Sequence, residues 1–314
     1  MSVEPEAVQA TLVAALDASV APAQLSSKKK TEAPGRVIMR YRSALGHGNI
    51  EERQEAIDKF SEVAASGRVA CDQLIMEMSV QFTRTLSEES DEHVLLGTLL
   101  ALERMAAHQP SEVCENGVAL PLIALLDSAS AAVRAGAARL TAVLCEDEHG
   151  LASARLLDVG LVPAMARLGA AEREASRHDV ALMAVSVLAR VSQESRFARV
   201  VVDGSVHGVL LAFASPQFPD APESAKAAQL QALRAIYDLG KTSEFKAALS
   251  AEGSFFPLLF SLRDSDLDAV IALAHRIASH WGDDFFGWAW ECCSVCKQVG
   301  ARSPQISPKS HDRF

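Results

Sequence analysis

The chain is poor in aromatic residues, which make up 5% of its 314 positions, and it has no excess of positive charge. Thirty Lys and Arg stand against 40 Asp and Glu, a formal net charge of −10. Nucleic-acid binding draws most of its affinity from cation–phosphate contacts, so this balance argues against a nucleic-acid partner. Long apolar runs are also missing. A membrane helix needs about 18 or more apolar residues, whereas the stretch Ala10 to Leu16 is short and ends at Asp17. Glu4 and Glu6 stand where a secretory signal carries basic residues. No membrane partner is expected, and the simplest setting is cytoplasmic, with the nucleus as the alternative. The six cysteines lack the dense spacing of a secreted disulfide scaffold. Cys71, Cys114 and Cys145 stand singly among apolar residues, where a thiol acts as a small hydrophobe. The signatures G-x-x-x-x-G-K-[ST], G-x-G-x-x-G, G-x-S-x-G and H-E-x-x-H do not occur, so the common phosphate-cradling, dinucleotide-binding, nucleophile-elbow and zinc-protease chemistries have no sequence support. No catalytic residue, cofactor or metal is expected.

What the chain has is hydrophobic content, 49%, dominated by Ala and Leu, with 22% charged residues. That composition leans towards helix. Residues 3–19 carry Val8, Leu12 and Leu16 at spacing four, predicting a short amphipathic helix. Residues 20–36, with Pro22, Ser26, Ser27, Lys28, Lys29, Lys30, Pro34 and Gly35, read as a basic linker. The segment from Gly300 onward, with Ser303-Pro304 and Ser307-Pro308, has few apolar groups and reads as a disordered tail.

Between these ends the sequence repeats. A glycine precedes an apolar segment at Gly117, Gly160, Gly204 and Gly253, at intervals of 43, 44 and 49 residues. Each segment is followed by a polar break and a longer amphipathic stretch. These stretches are 56–64, 98–106, 137–145, 181–189, 232–240 and 270–278. Leu99, Leu102 and Met105 lie at spacing three, on one helical face. A period near forty residues built only from helices marks a solenoid of the HEAT or armadillo kind. One such unit cannot bury its apolar face alone, so stacked neighbours supply a continuous core. The glycines sit where one repeat bends into the next, a position suited to positive φ.

Gly117 to Leu126, followed by Val133 to Cys145, closely resembles the armadillo repeat, with its Gly-x-x-x-Pro-like element before the second helix and its long third helix. The Gly and Pro pair recurs as Gly117/Pro121, Gly160/Pro163 and Gly253/Pro257, whereas Gly204 has no proline partner. The resemblance runs over residues 43–281 and implies an all-α, right-handed α-solenoid of about six armadillo-like repeats. Residues 37–281 would form the solenoid and 282–299 a C-terminal capping helix. It also implies that the third helices line a concave groove. Members that read extended peptides carry Trp and, four residues later, Asn on those helices. Here the Trp-equivalent positions are Asp58, Leu100, Arg139, Met183, Arg234 and Ala272, and the Asn-equivalent positions are Glu62, Arg104, Val143, Val187, Asp238 and Arg276. With neither residue present, an importin-alpha-like receptor for basic import signals is not expected. Glu62, Arg104, Arg139, Val143, Met183, Val187, Arg234, Asp238 and Arg276 form the expected protein-binding groove. Its apolar middle and charged surroundings suit a folded partner or an amphipathic helix. The expected function is that of a monomeric, non-enzymatic adaptor or scaffold. The alternative is a nucleotide-exchange factor for the seventy-kilodalton heat-shock chaperone, since Val133 to Leu140 and Ser243 to Leu249 are similar in flavour to that group.

Cys292, Cys293 and Cys296 include a C-x-x-C spacing known from zinc and redox sites. A zinc site needs about four ligands, and neither His280 nor His311 stands at a usual spacing. Phe285, Phe286, Trp288 and Trp290 point instead to a cap over the last repeat. The run Glu88 to Glu92 and the pair Asp266 and Asp268 are expected to cap helices. Pro216, Pro219 and Pro222 exclude regular helix from the segment 216–222 that lengthens the fifth repeat, which reads as an inter-helix loop.

Overall fold

The computed structural model describes residues 33–193, 206–215, 221–262, 265 and 267–282. The expected N-terminal helix, the glycine bend at Gly204, most of the proline-rich loop, the capping helix with Cys292, Cys293 and Cys296, and the tail lie outside them. Among the described residues there is no strand.

Helix α1 spans Pro34–His47. It begins inside the segment expected to be linker. The fixed φ of proline and its missing N–H cost nothing in a first turn, so Pro34 opens the helix rather than delaying it. α2, Ile50–Ala64, starts with a capping box. The Asn49 side chain accepts from the Glu52 N–H at 3.0 Å, and the Glu52 carboxylate accepts from the Asn49 N–H at 2.9 Å. α3 runs over Arg68–Glu88. α4, Glu92–Ala106, is capped by Asp91, whose carboxylate accepts from the Val94 N–H at 2.9 Å. The acidic run 88–92 thus performs the expected capping role.

The third unit comprises α5 (Pro110–Val113), a kinked turn (Cys114–Val118), α6 (Ala119–Leu125) and α7 (Ala131–Cys145). Then follow α8 (Leu151–Asp158), α9 (Leu161–Glu174) and α10 (His178–Ser192). α11 (His207–Ala214) and α12 (Glu223–Leu239) form the described part of the fifth unit. The sixth holds α13 (Ser243–Ala251), α14 (Phe255–Ser261) and α15 (Asp268–Trp281). Asp268 lies in the first turn of α15 while Leu267 takes the cap position without a side-chain bond, so Asp268 supports the helix by charge and does not cap it.

The chain bends at positive φ at Gly117 (85°) and Gly160 (93°), as expected from the glycine spacing. Gly253 stays outside the positive-φ region, because the chain enters α14 through an extended Glu252 instead. The third helices α2, α4, α7, α10, α12 and α15 stack each on the next, and the other helices pack against them. Leu99, Leu102 and Met105 are all buried on α4. A fully buried side chain of this size contributes roughly 2 kcal/mol relative to exposure. The result is an all-α solenoid with one continuous core.

Two polar clusters hold successive units together. Glu172, on α9, is 1% exposed and accepts from Arg134 Nε of α7 at 2.7 Å and from Arg177 Nε at the entry to α10. Burial works to raise this carboxyl, but the hydrogen bonds and charges of the two guanidinium groups outweigh it and hold it below the usual range. Asp147, also buried, accepts from the Ser111 hydroxyl at 2.9 Å and the Ala152 N–H at 3.0 Å. It too is held low against the effect of burial. At the far end Trp281 packs on Phe255, with ring centroids 4.9 Å apart, and donates Nε1–H to Ser250 Oγ at 3.0 Å.

Candidate protein-binding ladder

The third helices present matching positions in lateral register, and three contacts fix that register. Arg104 on α4 donates Nη1 to the Ser61 carbonyl of α2 at 2.5 Å. Arg139 on α7 pairs with Glu103 of α4 at 3.3 Å. Arg276 on α15 places its guanidinium carbon 4.6 Å from the Tyr237 ring centroid on α12. In each case a residue of one third helix lies across the preceding one. These contacts join α2 to α4, α4 to α7 and α12 to α15, and the packing of α10 between α7 and α12 completes a ladder of third helices.

The nine expected groove residues take different places on it. Glu62 is exposed and pairs with Lys59 at 3.0 Å. Arg104 and Arg139 are half-buried and engaged by their neighbours. Val143 and Met183 are half-buried against the core, with part of each side chain at the surface. Val187 is only 3% exposed. It belongs to the core that α10 forms with α7, α9 and α12, and it offers no surface to a partner. Arg234 is half-buried and has neither an ion-pair nor a hydrogen-bond partner among the described residues. Asp238 pairs with Lys241 at 2.6 Å. Arg276 is exposed and stacked on Tyr237. The ladder thus has eight of the nine at or near its surface, with Leu100 adding to its apolar middle.

Sequence reasoning missed Tyr237, because it lies one position before the repeat site used for comparison. Its signal was spacing: Arg234, Tyr237 and Asp238 fall at i, i+3 and i+4 on one face of α12. A second apolar surface was also missed. Val69, Met76 and Val80 on α3 are 73%, 76% and 74% exposed and follow one helical stripe.

Cys71 and Cys114 are buried thiols. Burial pushes Cys114 up to about 12 and raises Cys71, and both Sγ atoms lie within weak hydrogen-bond reach of backbone carbonyls. Among the described residues no three His, Cys, Asp or Glu side chains gather as a metal site, and no helix is long and apolar enough to cross a membrane.

Solved structures with the same arrangement include designed armadillo repeat proteins. One, YIII(Dq)4CqI, is 21% identical with a TM-score of 0.63, over 80% of this chain and 100% of its own. Another, a designed armadillo repeat protein in complex with the peptide (KR)4, is 21% identical with a TM-score of 0.64, over 80% and 100% of the two chains. A computationally designed armadillo repeat protein for modular peptide recognition gives the same figures. No known sequence family matches the chain, and no curated protein is significantly similar to it. At this identity the likeness establishes the fold: the chain is an armadillo-like repeat solenoid.

Proposed function

We propose that this solenoid is a non-enzymatic adaptor or scaffold that binds a partner protein along the ladder of third helices. The observation carrying this reading is the ladder's composition. Leu100, Val143 and Met183 leave partly exposed apolar surface on successive helices, with Arg234 and Arg276 beyond them. An apolar centre flanked by polar and charged groups is the anatomy of a protein interface. The absence of Trp and Asn at the repeat positions removes the side-chain amides that would clamp an extended backbone. The site suits a folded surface or an amphipathic helix, which brings its own backbone hydrogen bonds satisfied. The armadillo-like fold supports binding in general without selecting a partner.

The test is affinity capture from native lysate with the intact chain, a Leu100→Glu/Met183→Glu variant on the ladder and a Met76→Glu/Val80→Glu variant on α3. Circular dichroism checks that both variants stay helical. The reading expects a dominant partner that is lost with the ladder variant and kept with the α3 variant. The reverse pattern would move the interface to α3 and remove the ladder assignment.

A further inference from the structure

The α12–α15 end of the ladder has a chemistry that the rest lacks. Arg234, Tyr237 and Asp238 line one face of α12, Lys241 follows in the turn after it, and Arg276 joins them from α15. Two cations share the Tyr237 ring, since the Lys241 ammonium lies 4.9 Å and the Arg276 guanidinium 4.6 Å from its centroid. Asp238 neutralises one cation by pairing with Lys241. Arg234 and Arg276 have no carboxylate partner among the described residues. Stacking restricts the Arg276 side chain while leaving its N–H edge available. Arg276 over the Tyr237 ring and Arg234 one helical turn before Tyr237 on α12 offer two guanidinium groups to carboxylates, whose hydrogen bonds to guanidinium are charge-assisted and can be bidentate.

The opposite end repels the same ligand. Glu51, Glu55, Asp58 and Glu62 are exposed on one side of α2, with Lys59 among them. Between the ends lie Leu100, Val143 and Met183. From α4 to α12 there are three helix-to-helix steps of about 8–10 Å each. Those steps match an amphipathic helix of about 18 residues at roughly 1.5 Å per residue.

Resting on the ladder as the binding face, we infer that the partner element is an amphipathic helix with an acidic end, laid in one direction with that end on Arg234, Tyr237 and Arg276. Rim charges of this kind set orientation, association rate and salt dependence more than they set total affinity.

The test uses the full chain and a displayed library of 20-residue helical peptides. Their leucine stripe is fixed and their charge positions are randomised over Glu, Lys and Gln. The selected pool is expected to concentrate Glu at one end. Selected peptides should bind an Arg234→Glu/Arg276→Glu variant at least tenfold more weakly, and selection on that variant should place Lys where Glu stood. Circular dichroism confirms that the variant remains helical. Glu spread evenly along the peptides, Glu position unchanged by the variant, or enrichment no better than a Gln-only library would each overturn the inference. Repeating the selection with Leu100→Glu/Met183→Glu separates the two levels. If that variant loses the pool while Glu shows no preferred end, the ladder stands and the direction falls. If it captures the same pool unchanged, the ladder itself is wrong.

Discussion

The two halves of the ladder use the same residue types for different purposes. In the first half Arg104 is tied to a backbone carbonyl of the preceding helix, Arg139 to Glu103, and Arg134 to the buried Glu172. In the second half Arg276 stacks over the half-buried Tyr237 ring and Arg234 has no polar partner among the described residues. Arg104 and Arg276 occupy equivalent repeat positions and both reach the preceding helix, yet Arg104 gives a donor to a backbone carbonyl while Arg276 makes a ring contact. An arginine on a solenoid is therefore read by what its donors already hold.

The comparison can be broken most forcefully at Glu172. Glu172→Ala leaves Arg134 without its buried partner and should destabilise the protein by about 3 kcal/mol, seen as a lowered urea midpoint. The same carboxylate sets an acid dependence. Its folded value is depressed below the ordinary 4.5, so its contribution is fully present above that pH and is lost as pH falls through the lower folded value. Glu172→Gln should flatten the loss of stability below that point, and an acid titration followed by circular dichroism checks it.

At the other end, a Cβ at Gly240 would fall 2.3 Å from the Trp281 ring. Gly240→Ala should cost about 2 kcal/mol through overpacking, although the backbone there is ordinary αR. Arg104→Ala removes a charge-assisted bond to the Ser61 carbonyl and should cost about 1.5 kcal/mol. Arg276→Ala gives up only an exposed cation–π contact and should cost about 0.5 kcal/mol. Equal costs at positions 104 and 276 would erase the distinction between the halves.

Much of this fold was legible because repetition averages over local ambiguity. Six similar stretches placed six third helices, and spacing at Leu99, Leu102 and Met105 identified a buried face. The start of α1 was missed because Pro34 and Gly35 read as linker in isolation, while a proline in the first helical turn costs nothing. The candidate site was legible only as positions. Which of them face outward depends on neighbouring helices, so Val187 was placed in the groove although α10 packs it into the core. The Glu172 clasp was invisible because Arg134 and Glu172 are 38 residues apart and meet only when units stack. Tyr237 carried a signal in its helical spacing, but comparison of a single repeat position passed over it.

The most direct test of the ladder as the binding face is photo-crosslinking with p-benzoylphenylalanine in place of Met183, on the ladder, or of Met76, on the exposed stripe of α3. The partner recovered with the intact chain should crosslink from position 183 and not from position 76. Crosslinking from position 76 alone would contradict the account and assign binding to the other surface.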